Sequence, residues 1–534
     1  MRNRYLCWRS LQPLPCFDTL PAVLSSIGSQ TGSTSASKAR PPAGHELLHL
    51  ELERGPGTQP LYAQIRDGVL AACLAGSLVP GMRLPPEREM ATALGVNRRT
   101  VVRAYQELAA DGLVEARGSG GTLVRTPADG IGEPSWLATL PAFGDGSLGS
   151  DPTFLRDVTE VGSRSGMISF AAGTPPADQM PLAELRDCLD AALRRWGEPA
   201  MTYGPVAGFG PLRQILVERL GAGLVRPGDG VLVSSGITQG LDLAARTLID
   251  PGDVVAIESP TYVGTLQTFA LAGARITGIP VDGEGMRVDV LEGVLARGGV
   301  RLIVVQPTYQ HPTGTVLSQR RRERLLFLAR RHRVPILEED AYPGLGFGDA
   351  DPGPLKRADR AGSVIYLSTF SKTVSPGVRV GWIVAPEPVL ARFVLAKQFS
   401  DLNTNAIGQL MLAQFLDSGC YERHVRRSRQ VYRERRDLLL GELARQAPGI
   451  EAPEVPAGGF FAWCRLAAGP HARLLTLHAA REGVAIVGGE PFAVDSAGCP
   501  PSADRIRLCY TACTPAVAVE GVRRLAAALE RLHA

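Results

Sequence analysis

Four lysines stand among 57 basic residues, the rest being arginine: Lys38, Lys356, Lys372 and Lys397. Where a plain positive charge is enough, this chain uses arginine. A retained lysine therefore points to amine chemistry, because a guanidinium forms no imine and stays protonated at physiological pH. Lys372 lies in STFSKTVSPGVRVGW, residues 368–382, just after the apolar run VIYL. Asp340 follows the run VPILEE, where a buried carboxylate would hold a pyridine nitrogen protonated, and Tyr342 is placed to donate to a phenolic oxygen. The stretch SSGITQGLDLAARTL reads as strand, turn and helix, and its first helical amides, near Ile237 and Thr238, suit a phosphate. Thr369, Ser371 and Arg379 flank the lysine and would complete the cradle with hydroxyls and a guanidinium. Tyr262, in ESPTYVGTLQ, offers a ring face for stacking. An amine, a carboxylate, a phosphate cradle and an aromatic face are together what pyridoxal phosphate asks of a protein. Judged singly, Asp340 reads as a helix cap, Tyr262 as core and Arg379 as surface charge. Their joint placement at strand ends favours the set.

The elements that must position these residues are strands and helices in alternation. From residue 166 onward, apolar β runs are separated by helical stretches: VLVSS (231–235), DVVAIE (253–258), RLIVVQP, VPILEED and SVIYLST. Such alternation implies a mainly parallel sheet, where ligands gather at the carboxyl ends of strands. After a helical stretch over 403–446, GFFAWCRL, VAIVGG and RIRLCY read as strands of a smaller α/β subdomain. The basic run 423–437 within that stretch reads as the solvated face of a long helix.

Residues 48–125 have a different texture. Apolar residues at helical spacing in PLYAQIRDGVLAACLAG precede a short helix (86–93), a turn at LGV, a second helix (98–111) and two β runs around the Gly-rich RGSGGT. That order is the plan of an α+β winged helix-turn-helix. Arg98, Arg99 and Arg103 in the second helix are candidates for base edges and phosphates of double-stranded DNA. Thr100 suits a backbone contact, Arg88 a phosphate, and Arg117 a minor groove entered by the wing tip. Nine arginines against eight carboxylates over this segment leave it nearly neutral, so the DNA signal is the local arginine face.

Residues 126–165 are rich in Pro, Gly and Ser and read as a linker reaching roughly 35 Å. Residues 1–47 are basic, Ser-rich and poor in acids, but Pro13, Pro15 and Pro21 interrupt any apolar core, so they are expected to be a disordered tail. The net charge of +4 implies no nucleic-acid coat. No run is long and apolar enough to span a bilayer, and the nine scattered cysteines form neither a CxxC pair nor a zinc cluster. These features predict a cytoplasmic protein with no metal site.

Residues 166–534 resemble a fold-type I aminotransferase of the kynurenine and α-aminoadipate branch, through YGPVAGFGPLR, ESPTYVGTLQ, HPTG, EEDAYPGL, STFSKTVSPGVRVGW, PAGGFFAW and RIRLCYTA. Residues 48–125 resemble a GntR-type winged helix, and the two together resemble the MocR-type regulators. The resemblance implies a multidomain chain with a large-domain sheet and a smaller subdomain, binding pyridoxal 5'-phosphate and operator DNA as a homodimer. It implies that Arg507 clamps an amino-acid carboxylate and that Tyr203 reaches the phosphate in a neighbouring subunit. His311 stands where aminotransferases carry an asparagine that touches the cofactor's phenolic oxygen; it can still donate to that oxygen, but the departure puts efficient transamination in question. Three outcomes stay open: a regulator sensing the cofactor or an amino compound condensed with it, a working aminotransferase, and a binding module that keeps the fold without the cofactor.

Overall fold

The structure, a computed structural model, describes residues 50, 52–55, 58–74, 78, 81–116, 121–125, 166–198, 202–348, 352–467, 469, 472–494 and 502–533. The expected tail (1–47), the expected linker (126–165) and Arg117 lie outside the described residues. The chain forms two compact units, Met1–Pro141 and Ala142–Ala534.

In the first unit, α1 (Leu61–Leu74), α2 (Glu87–Leu94) and α3 (Arg98–Ala110) precede the antiparallel pair β1 (Val114–Ala116) and β2 (Thr122–Val124). Two residues set the turn between the second and third helices. Gly95 ends α2 in the left-handed region (φ 61°), and the Asn97 side chain caps α3 by accepting from the Arg99 amide at 2.9 Å. Ile65, Val69, Met90, Val101, Ala104 and Leu108 are buried together, each larger side chain contributing about 1.5–3 kcal/mol. Tyr105 joins them and donates its hydroxyl to the Pro85 carbonyl at 2.9 Å. With that face of α3 committed to the core, Arg98, Arg99 and Arg103 are left exposed.

The second unit runs β3 (Ile168–Ser169), α4 (Leu182–Trp196), α5 (Gly210–Leu220), β4 (Asp229–Ser234), α6 (Ile237–Leu248), β5 (Val254–Ser259), α7 (Val263–Leu271), β6 (Arg275–Asp282), β7 (Gly285–Met286), α8 (Val288–Ala296), β8 (Val300–Val305), α9 (Gln319–His332), β9 (Ile336–Asp340), β10 (Val364–Thr369) and β11 (Gly381–Pro386). Then follow α10 (Glu387–Asp401), α11 (Ala406–Asp417), α12 (Cys420–Gln446), β12 (Ile450–Glu451), β13 (Phe461–Leu466), α13 (Ala472–Arg481), β14 (Val484–Ala485), β15 (Val487–Gly488), β16 (Arg505–Cys509) and α14 (Pro515–His533). The large sheet has the order β4-β11-β10-β9-β8-β5-β6-β7. Only β11 and β7 run against the rest, so the strands carrying the predicted motifs all end on the same edge. Helices cover both faces, which is why β9 and β10 are buried along their whole length.

The smaller sheet is β12-β13-β16-β15. A separate parallel pair joins β14 to β3, tying the start of this unit to its C-terminal part. The helical stretch expected over 403–446 is two helices, broken where Gly419 takes φ 69°. The basic run on α12 is also less solvated than its composition suggests. Arg435 and Arg436 are buried, donating to the carbonyls of Thr511 and Pro456 at 2.7 and 2.6 Å. Among the described residues no helix is long and apolar enough to cross a membrane, and no cluster could hold a metal ion.

Candidate cofactor site and DNA-reading face

A cavity of about 480 Å³ opens at the carboxyl ends of β4, β5, β8, β9 and β10. Lys372, Tyr262, Tyr342, Ile237, Thr238, Thr369, Ser371, Arg379, His311 and Arg507 all line it. The three described lysines differ in their partners. Lys356 is buried against Asp229 at 3.1 Å and Lys397 against Asp401 at 2.7 Å. Lys372 instead donates to the Gly173 carbonyl at 2.5 Å, and among the described residues it has no carboxylate partner. Burial lowers its pKa to about 8; Arg507 and Arg379 push the same way, Cys509 against them. Lys372 is thus an amine that loses its proton more readily than an ordinary lysine.

The far end of the cavity is an anion cradle. Gly236 (φ 89°) turns the chain from β4 into α6, whose first amides, those of Ile237 and Thr238, have no helical acceptor. A Cβ on Gly236 would stand 3.1 Å from Arg379 Nη2, so the turn needs glycine for both conformation and space. Arg379 is fixed by donating to the Ser235 carbonyl at 2.5 Å, and Thr369 Oγ1 donates to Ser371 Oγ at 2.9 Å. Helix amides, two hydroxyls and a guanidinium therefore converge.

Asp340 does not share the cavity. Its Oδ2 accepts from the Tyr366 hydroxyl at 2.7 Å, and it lines a separate hollow with Arg219, Thr308 and Arg357. Side chains alternate across a strand, so Glu338 and Asp340 take one face of β9 and Glu339 the other. Glu339 lines the cavity. Its Oε1 accepts from Thr265 Oγ1 at 2.8 Å and its Oε2 from Gln306 Nε2 at 3.3 Å. Burial raises its pKa to about 7, with those two donors pulling it back. Gln306 also donates its backbone N–H to Glu258 Oε2 at 2.8 Å, so a second buried carboxyl, raised by burial to about 8, stands behind the first. Sequence patterns single out neither Glu339 nor Gln306. Three consecutive carboxylates at 338–340 conceal which one faces inward until β9 is paired with its neighbours.

Arg507, on β16, donates from Nη1 to His311 Nε2 at 2.8 Å and from Nη2 to the Ala171 carbonyl at 2.5 Å. A guanidinium only donates, so the imidazole accepts at Nε2 and, when neutral, keeps its proton on Nδ1. Burial first, then the charges of Arg507 and Lys372, hold His311 well below the ordinary histidine pKa. Tyr262 lies beside it, the two ring centroids 5.4 Å apart. Tyr203 is away from the cavity and 84% exposed.

On the DNA-reading domain the arginines are not equivalent. Arg98 is paired with Glu87 at 2.9 Å, while Arg103 lies 3.7 Å over the Tyr62 ring and 3.4 Å from Glu107. Among the described residues Arg99 and Arg88 have no side-chain partner and remain exposed. Thr100 is half-buried at the start of α3.

Residues 165–525 match the family of class I and II aminotransferases, and residues 61–124 match bacterial regulatory proteins of the gntR family. The chain belongs to the MocR-type regulators. It is 30% identical to the uncharacterized HTH-type transcriptional regulator YdfD of Bacillus subtilis (strain 168), over 84% of this chain and 92% of that one. It is 31% identical to the probable rhizopine catabolism regulatory protein MocR of Rhizobium meliloti, over 71% of this chain and 76% of that one. Among solved structures it is similar to LysN, the α-aminoadipate aminotransferase of Thermus thermophilus, complexed with N-(5'-phosphopyridoxyl)-L-leucine. There the identity is 35% and the TM-score 0.68, covering 75% of this chain and 99% of that chain.

This MocR-type chain is a DNA-binding regulator that depends on pyridoxal 5'-phosphate. Its residues fit that group. The cradle turns at Gly236, where φ 89° strains any side chain and a Cβ would crowd Arg379, Lys372 is an amine with no carboxylate partner among the described residues, and Glu339 is a buried carboxyl with only neutral donors. When bound, the cofactor supplies an aldehyde for amines and a ring that withdraws electrons from them.

Proposed function

We propose that this MocR-type protein senses an amino compound bearing a carboxylate, as a dimer whose winged helices hold an operator duplex. The observation that carries the reading is the presence in one cavity of a buried amine with a depressed pKa, Lys372, and a buried guanidinium, Arg507, with no carboxylate against it among the described residues. Lys372 anchors the cofactor covalently. The amides of Ile237 and Thr238, with Thr369, Ser371 and Arg379, hold its phosphate, and Tyr262 covers its ring. Glu339 takes the part expected of Asp340 and faces the ring nitrogen, and Tyr342 serves the phenolic oxygen. Arg507 receives the effector carboxylate in a fork that a lysine would not reproduce.

A bound effector alters DNA binding only if it has different affinities for two arrangements of the tethered winged helices. Tyr203, Phe399 (81% exposed), Leu395 and Leu402 present large apolar groups to solvent, which supports a second copy of this chain as their cover. DNA is met in the cytoplasm. A working transaminase is the second reading, favoured by the near-complete site; several turnovers per cofactor with an amino acid and a keto acid would establish it.

The DNA reading predicts an order among the arginines. Arg99→Ala should weaken operator binding roughly tenfold to a hundredfold. Arg98→Ala should cost less, because Glu87 already competes for that side chain. Anisotropy titrations of the full chain at fixed salt measure both, and a larger loss for Arg98→Ala would reverse the assignment.

A further inference from the structure

Arg507 and His311 stand 196 residues apart in the chain yet share a buried hydrogen bond inside the cavity. Arg507 is 7% exposed, and its other partner is a backbone carbonyl. Its Nε is buried with no partner at all among the described residues. The ring centroids of Phe461 and Phe492 lie 4.3 and 5.2 Å from the guanidinium carbon, so apolar rings flank it, and its Nη1 and Nη2 donors are already taken by His311 and the Ala171 carbonyl. We propose that a ligand carboxylate displaces His311 from Arg507 and that His311 takes up a proton in the exchange. This rests on the reading of Arg507 as the carboxylate anchor.

While Nη1 donates to Nε2, the imidazole is satisfied as an acceptor. A carboxylate on Nη1 removes that donor and brings an oxygen beside the Nε2 lone pair. Two acceptors repel, and a buried acceptor left without a donor is unfavourable. A proton at Nε2 resolves both problems: the imidazolium donates to the carboxylate, whose charge offsets that of Arg507. The other groups around His311 do not supply this proton cheaply. Arg507 keeps its protons, Lys372 is taken up by the cofactor in the holo-protein, Tyr262 is a buried phenol whose pKa is raised by burial, and Phe461 and Phe492 are apolar. The nearest carboxyl in its hydrogen-bond chain is Glu339, reached through Gln306, whose Oε1 accepts from the His311 backbone N–H at 2.8 Å. Uptake from solvent is therefore the expected source, and ligand binding becomes linked to pH.

Calorimetry on the holo-protein with 3-phenylpropionate and with glutarate tests this, since neither has an amine to condense with the cofactor. Titrations at one pH in buffers of different ionisation enthalpy count protons taken up per ligand bound. The wild type should take up a proton, and its affinity should weaken by up to about tenfold per pH unit as pH rises between the free and ligand-bound pKa values of His311. His311→Asn and His311→Gln should still bind but show neither uptake nor that slope. Binding without proton uptake in the wild type overturns the exchange and leaves Arg507 as the anchor. So does the same uptake in His311→Asn, which would trace the proton to another group. Failure of both carboxylates to bind the wild type overturns the anchor itself, and the exchange with it.

Discussion

Replacing Lys372 with alanine is expected to abolish covalent attachment of pyridoxal phosphate. The wild type should retain the cofactor through gel filtration and show the visible absorbance of an imine; the variant should lose both. The expected effect is complete, because of the three described lysines the other two are already engaged with Asp229 and Asp401. Lys372→Arg should fail in the same way, since it keeps the charge and removes the amine chemistry. The pH dependence of loading follows from the depressed pKa. Only the neutral amine attacks an aldehyde, so the loading rate should rise with pH and level off above about 8. A rate still climbing steeply well above that point would mean that Lys372 is solvated and ordinary. Retention of the imine band in Lys372→Ala would sink the assignment altogether.

The second large effect separates two adjacent carboxylates. Glu339→Gln should weaken cofactor binding by roughly a hundredfold to several thousandfold, the cost of about 3–5 kcal/mol for removing one partner of a buried ion pair. Glutamine keeps the shape but replaces one accepting oxygen with a donor and withholds the charge from the ring nitrogen. Asp340→Asn should leave cofactor affinity nearly unchanged, because Asp340 looks into a different hollow and accepts from Tyr366. Fluorescence titration of the apoprotein with pyridoxal phosphate distinguishes them. The reverse ranking would restore the assignment suggested by chain order alone.

The contrast between these two residues shows where sequence reading runs out. The lysine is legible because its chemical type is scarce in this chain, and the cradle is legible because glycine, a helix start and an arginine recur at strand ends. Which of Glu338, Glu339 and Asp340 points inward depends on where β9 ends and how it pairs with β10, both tertiary facts. The pairing of β14 with β3 and the bond between Arg507 and His311 join distant segments, so no local pattern announces them. The break at Gly419 is open to local reasoning, since glycine commonly ends a helix, and α11 and α12 do part there. In the winged helix the arginine face is legible, but its internal division is not. Glu87 on α2 and Tyr62 on α1 restrain Arg98 and Arg103, and only the packed domain shows that, of the three arginines on α3, Arg99 is left open among the described residues.

Specific DNA binding under the control of the cofactor is the property that joins the two halves of this chain. The most direct measurement is fluorescence anisotropy of the full-length protein with duplex DNA from upstream of its own gene, at fixed salt, with and without pyridoxal phosphate. Binding to that DNA should be tighter than to a scrambled duplex and should shift on adding the cofactor, with no such shift in Lys372→Ala. Equal affinity for the two duplexes in both states would contradict it.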